Sequence, residues 1–175
     1  MKKSVIKFKK IRDVQLPTRG HEYDAGIDFF VPEFDVNFIE DLKKKNDISF
    51  TFYETDGKHY FLLPPSARVN IPSGIYCQMK EPGRALIAAN KSGIATKQGL
   101  VFSAQVVDFE YQGEIHLGVI NTSSETAYIY EGQKLLQFIE TPVFNSDIVE
   151  VDTLENLYPK GATSRAAGGF GSTNK

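Results

Sequence analysis

RVNIPSGIYCQM, residues 68–79, decides the fold class, because the pattern that begins there continues to Val143. RALIAANKSG (84–93), GLVFSAQVVDF (99–109), EIHLGVIN (114–121), TAYIY (126–130) and KLLQFIETPV (134–143) follow in turn. Each is a short apolar run between turn residues, rich in the β-branched and aromatic side chains that suit a pleated sheet. No helix-length period separates the runs, so a parallel βαβ sheet is excluded and an all-β sandwich or barrel is expected.

Upstream, SVIKFKKIR (4–12) alternates Ile6 and Phe8 with Lys7 and Lys9, as a strand with one wet face does. LPTRGHEYDAGIDFFVP (16–32) passes from a Pro/Gly loop into an apolar run that holds Asp28. DVNFIEDLKKKN (35–46) places Val36, Phe38, Ile39 and Leu42 at helical spacing, with Asp35 as N-cap and lysines at the far end. DISFTFYETDGKHYFLL (47–63) reads as two strands joined through Asp56-Gly57. The helix and hairpin form one excursion, about residues 33–60, expected as a surface elaboration. The end, GATSRAAGGFGSTNK (161–175), has one core-forming aromatic, Phe170, and is expected to be a flexible arm beside a single domain over 1–160.

The chain of 175 residues is 41% hydrophobic, enough for one buried core and too short for two full domains. A formal net charge of -2 supplies no field for a nucleic-acid backbone, so any phosphate ligand needs locally placed cations. One cysteine, Cys77, closes no internal disulfide, and His21, His59 and His116 lie too far apart in sequence for a zinc cluster. A reducing compartment without a structural metal follows. With no membrane-length apolar run and no signal-peptide core in MKKSVIKFKK, the expected location is the cytoplasm, or a host's cytoplasm for a viral protein.

Four places could carry chemistry. In the tail, Gly168, Gly169 and Gly171 let the backbone turn tightly, Ser172 and Thr173 offer hydroxyls and Arg165 a permanent cation. Such a segment can wrap a polyphosphate while Phe170 stacks on a base, or it can be a plain linker. Lys91-Ser92-Gly93 puts a cation, a hydroxyl and a bare amide together, which suits phosphate oxygens but also occurs in ordinary turns. Asp108 is either a turn residue or a general base, and Tyr111 beside it is either a strand aromatic or a ligand contact. Gln137, polar in an apolar strand, is either solvent-facing or a positioner of water or phosphate oxygen.

Taken together, DAGIDFF (24–30), ANKSGIATKQG (89–99), VVDFEYQGE (106–114), EGQKLLQFIETPV (131–143) and SRAAGGFGSTNK (164–175) resemble, in order, the five motifs of the trimeric dUTPase family. The resemblance implies a β jelly roll, a homotrimer with active sites at subunit contacts, and hydrolysis of dUTP to dUMP and pyrophosphate with magnesium on the triphosphate. That activity limits uracil incorporation into DNA and supplies dUMP for thymidylate synthesis. By the same resemblance, Asp108 is the general base that activates water for in-line attack on the α-phosphorus, and Gln137 places the phosphate or the nucleophile. Asp28 helps hold magnesium through water. Lys91, Ser92 and Gly93 meet the phosphate chain. Tyr111 packs under the deoxyribose, and a neighbouring hairpin backbone reads the uracil edge. Phe170 stacks on the base while Arg165, Gly171, Ser172 and Thr173 clasp the outer phosphates.

Three features depart from the family pattern. Lys91 and Lys134 stand where the family commonly has arginine, and lysine lacks the planar two-pronged contact. The 33–60 excursion has no counterpart in the shortest members and is a candidate docking surface for a protein partner. The closing GSTG is GSTN here. The rival activity on a related scaffold is a dCTP deaminase or bifunctional deaminase and diphosphatase, but its TLE-like catalytic segment has no clear counterpart. The rival from another class is a nucleotide-switched interaction protein. No nucleic-acid or membrane partner is expected.

Overall fold

Strand-forming runs dominate the computed structural model, which describes residues 4–46, 50–161, 163, 164 and 166. It divides into units 1–144 and 145–175. The first carries β1 (Ile6–Lys10), β2 (Gly26–Phe30), α1 (Val36–Lys45), β3 (Phe52–Thr55), β4 (Lys58–Leu63), β5 (Arg68–Pro72), β6 (Ile75–Met79) and β7 (Arg84–Asn90). There follow α2 (Ser92–Gln98), β8 (Leu100–Phe102), β9 (Val106–Asp108), β10 (His116–Asn121), β11 (Ala127–Tyr130) and β12 (Lys134–Pro142). The second unit holds one short turn of helix, α3 (Leu154–Leu157), capped by the Thr153 hydroxyl, which accepts from the Asn156 amide at 3.2 Å.

The strands form four antiparallel sheets, ordered β1-β6, β5-β10-β8, β11-β4-β3 and β2-β12-β7-β9. This is the expected all-β, jelly-roll type of architecture. One apolar core joins the sheets, with Phe29 against Phe138 (ring centroids 4.6 Å apart) near its centre and Ile71, Leu86, Leu117 and Leu136 around them.

The excursion forms as its sequence directs. Asp35 caps α1 by accepting from the Phe38 amide at 2.7 Å, a contact of about 1 kcal/mol, and Lys43, Lys44 and Lys45 lie near the negative end of the helix dipole. Asp56 and Gly57 both take positive φ, 52° and 71°, as a two-residue hairpin between β3 and β4 demands. It is not confined to the surface, however. Phe38 and Leu42 are fully buried, and Phe34, Phe38, Phe50, Phe52 and Phe61 make one aromatic cluster with centroid spacings of 5.0 to 5.8 Å. Burying each such ring stabilises by about 2–3 kcal/mol, so the excursion is part of the core. Its far end is pinned as well: Asn46 donates to Leu42 O and Asn70 O and accepts from Asn70 N.

A second difference lies at 92–98, where the sequence suggests only a turn after β7. Gly99 explains the helix: at φ 67° it ends α2 in the left-handed conformation and donates its amide to Ala95 O at 3.1 Å.

Candidate active site

The sheet β2-β12-β7-β9 brings most of the polar candidates together. β12 pairs with β2 on one side and β7 on the other, setting Asp28, Gln137 and Ala89 in one row. Directly opposed residues of antiparallel strands share a face, so the alternate row of Ile27, Phe138 and Ala88 turns into the core.

Asp28 is 5% exposed, and a buried carboxylate requires charged partners. It has two. Lys91 Nζ donates to Oδ1, and Lys134 Nζ lies 3.2 Å from Oδ2 while sitting 5.6 Å above the Phe30 ring. The two lysines that depart from the family's arginines therefore converge on one carboxylate. As point charges they make single contacts instead of a fork.

Gln137 is fixed from both ends. Its Nε2 donates to Asn90 O at 2.7 Å, and the Asn90 side chain accepts from Phe102 N at 2.9 Å. Gly26 lies beneath the amide, where a Cβ would stand 1.9 Å from Gln137 Oε1. Ser92 and Gly93 open α2 directly after Lys91, Ser92 exposed and Gly93 with nothing within 4 Å of where a Cβ would be. Nothing within the described chain demands glycine at that position, and space is left on that side.

Asp108 and Tyr111 stand elsewhere. Asp108 is exposed at the end of β9, opposite Ala85 near the start of β7, whereas Lys91 follows the last residue of β7. Six residues separate Ala85 from Lys91, which at about 3.3 Å each puts roughly 20 Å between the two groups. Tyr111 is held by its own turn. Its amide donates to Asp108 O, its hydroxyl donates to Glu114 O at 2.9 Å, and its ring lies so close over Gly113 that a Cβ there would be 2.4 Å from Oη.

Arg12, Glu114 and Gly26 are structural participants that the sequence does not single out. Arg12 Nε and Nη2 reach the Glu114 carboxylate at 3.0 and 3.2 Å, and Glu114 also accepts from Gly74 N at 2.6 Å. This network raises the Arg12 pKa further. Arg12 also donates to Asp41 of α1, and that contact holds the Asp41 carboxyl below its ordinary value. Only a pairing across 102 residues could have revealed the ion pair. Arg165, Phe170, Gly171, Ser172 and Thr173 lie outside the described residues.

Among the described residues no group of three His, Cys, Asp or Glu side chains could hold a metal ion. One carboxylate, Asp28, stands beside the lysines and both its oxygens face their ammonium groups, so it leaves no direct ligand position, and a hard cation here would have to be carried by a ligand's own phosphates.

A dUTPase family model matches residues 50–174. The deoxyuridine 5'-triphosphate nucleotidohydrolase of Kluyveromyces lactis is 33% identical over 165 residues, covering 93% of this chain and 88% of that protein. Its namesake from Hydrogenobaculum sp. is 32% identical over 142 residues, 75% of this chain and 94% of that one. Among solved structures, a mutant dUTPase of phage 80alpha superposes with a TM-score of 0.70 at 18% identity, covering 96% of this chain and 98% of the other. EIAV dUTPase does so with a TM-score of 0.60 at 21% identity, covering 86% and 98%.

Proposed function

The chain belongs to the dUTPase family and by that membership is a dUTP diphosphatase, and from this premise we propose that it hydrolyses dUTP to dUMP and pyrophosphate at sites shared between the copies of a homotrimer. The observation that carries this reading is the separation along β7. Lys91, Ser92 and Gln137 stand at one end and Asp108 with Tyr111 at the other, too far apart for one nucleotide's α-phosphorus to meet both within a chain. A neighbouring copy supplies the missing half.

In the assembled site the lysine and serine of one copy receive the phosphate chain, and Gln137 orients an α-phosphoryl oxygen or the attacking water. Tyr111 of the other copy lies under the sugar, where its ring excludes a 2'-hydroxyl. Asp108 accepts a proton from water as the oxygen forms its bond to the α-phosphorus and the bond to the β-phosphate bridging oxygen breaks, leaving dUMP and pyrophosphate. Magnesium, when bound with the triphosphate, neutralises its negative charge. Asp28 would hold that ion through water while keeping the lysines in place. The segment 161–175 closes over the nucleotide, with Phe170 on the base and Arg165, Gly171, Ser172 and Thr173 at the phosphates. The product is the precursor of thymidylate, and removal of dUTP keeps uracil out of DNA. The protein works in the cytoplasm.

Pyrophosphate release measured with magnesium across dUTP, dTTP, dCTP and UTP tests the assignment, with kcat/KM expected to be far higher for dUTP than for the other three. Reaction in ¹⁸O-labelled water should place the label in dUMP. Conversion of dCTP to a uracil nucleotide would establish the deaminase instead.

A further inference from the structure

The excursion helix is connected to the substrate side by a continuous set of contacts. Asp41, on the exposed side of α1, accepts from Arg12, whose side chain is 9% exposed. Arg12 grips both oxygens of Glu114, and the Gly74 amide adds a third bond to that carboxylate. The neighbouring backbone is sewn to the same place: Ile115 N donates to Ile75 O at 2.9 Å and Ser73 N to Ile115 O at 3.1 Å. The Glu114 carbonyl then accepts two donors, the Tyr111 hydroxyl at 2.9 Å and His116 Nδ1 at 2.9 Å. A carbonyl only accepts, so His116 carries its proton on Nδ1.

Without these contacts, the exposed residues 110–112 would be free to shift the Tyr111 ring between the packed Phe109 and Ile115. Tyr111 is 44% exposed, and beyond Gly113 its hydroxyl bond is what fixes the ring's tilt. A fully buried pair would be costly to form, but Arg12 and Glu114 satisfy each other in two-pronged geometry, and Asp41 accepts from the same Nη2 that reaches Glu114.

We infer that Asp41 of the excursion helix and Arg12 are positioning residues that set, through Glu114, the tilt of the Tyr111 ring and with it the discrimination between deoxyribose and ribose nucleotides. This rests on the role of Tyr111 under the sugar given above. It also assigns the excursion a function: α1 contributes to no motif segment, yet it buttresses the residue that reads the sugar.

Asp41→Ala is the test, because Asp41 is half-exposed, so its loss leaves the core intact while removing one of the two carboxylates that hold the Arg12 guanidinium in place against Glu114. The ratio of kcat/KM for dUTP to that for UTP should fall about threefold to tenfold, less than the worth of a whole charge-assisted hydrogen bond because Asp41 reaches the ring only through Arg12 and Glu114. The fall should come from better use of UTP, and Asp41→Glu should restore the ratio. In Tyr111→Phe, which lacks the hydroxyl, adding Asp41→Ala should change the ratio no further. Amide hydrogen exchange of residues 109–115 in the nucleotide-free protein gives a readout independent of turnover, and it should speed up in Asp41→Ala. An unchanged ratio, or the same fall in the Tyr111→Phe background, overturns the inference, as does unchanged exchange. If the unaltered protein failed to hydrolyse dUTP, the functional assignment would fall, and the exchange result alone would still decide whether the helix reaches the turn.

Discussion

Mixing two inactive chains should recreate an active protein. Asp108→Asn keeps the shape of the exposed carboxylate but cannot take a proton, so its homotrimer should bind nucleotide and turn over poorly. Ser92→Glu places a negative charge where the triphosphate must lie, at an exposed first helical position where an acidic side chain is well tolerated. With roughly 20 Å between the groups along β7, each site needs an intact Asp108 from one copy and an intact Ser92 from another. Random assortment of equal amounts then leaves about a quarter of the sites with both, because each donor is intact half the time in a cyclic assembly. Co-expressed chains should therefore release pyrophosphate at about a quarter of the parent rate per site, and the rate should track the product of the two chain fractions as the ratio is varied. Mass spectrometry of the intact assemblies would verify mixing. Mixed trimers as inactive as either parent variant would refute the shared site and return Asp108 and Ser92 to a single chain.

Gly26→Ala should lower kcat about a hundredfold by displacing the Gln137 amide, and the pair Gly26→Ala with Gln137→Ala should be no slower than Gln137→Ala alone; additive losses would show that Gly26 acts otherwise. Two of the three histidines, His59 and His116, should pull stability in opposite directions with pH, read as urea midpoints from pH 5 to 8. His59 has a raised pKa through Glu131 and Glu54, so its contribution is complete below 6.5 and disappears as pH rises through the raised value; His59→Gln removes it. His116, near Glu114, Lys45 and Arg12, is lowered mainly by burial, so its contribution is present above 6.5 and lost as pH falls; His116→Asn should flatten that limb, and shifts of the same sign in both variants would contradict the assignment. Asp28→Asn leaves Lys91 and Lys134 facing each other without a counter-charge and should cost about 2–4 kcal/mol in thermal unfolding. Pyrophosphate should recover part of that loss by binding the freed ammonium groups, and no recovery would mean that the lysines do not point at the phosphate path.

What the sequence reveals follows from how local each cause is. The helix bounds near 35–46 were readable because Asp35, the apolar spacing and the terminal lysines act within one segment, and the hairpin at Asp56-Gly57 because two adjacent residues carry its geometry. The burial of the excursion was hidden because Phe34, Phe50 and Phe61 look like strand or loop residues until Phe34, stacked on Phe38, meets Phe61 and Phe61 meets Phe50. α2 was hidden for another reason. Lys91-Ser92-Gly93 has weak helix propensity, and the cap that stabilises the helix, Gly99, lies at its far end. Among the candidate site residues, pattern brought Asp28, Gln137, Lys91 and Ser92 into view, but the convergence of two lysines on one carboxylate required the register of β12 against its neighbours.

That register also explains why assembly and activity should be inseparable here. A strand of seven residues cannot bend its two ends together, so Asp108, opposite the second residue of β7, and Lys91 and Ser92, beyond its last, stay apart however the side chains rotate. Adding a partner copy is the only inexpensive remedy, since it leaves every strand pairing intact and changes which surfaces face one another. On the proposed mechanism, a lone chain would hold a water-activating group without an electrophile and a phosphate cradle without a base. Turnover should consequently fall with dilution below the dissociation range of the proposed trimer, more steeply than the loss of folded protein. The Arg12–Glu114 anchor fits the same logic: a tyrosine that must meet a nucleotide held by another molecule has to be placed by its own chain before the partner arrives.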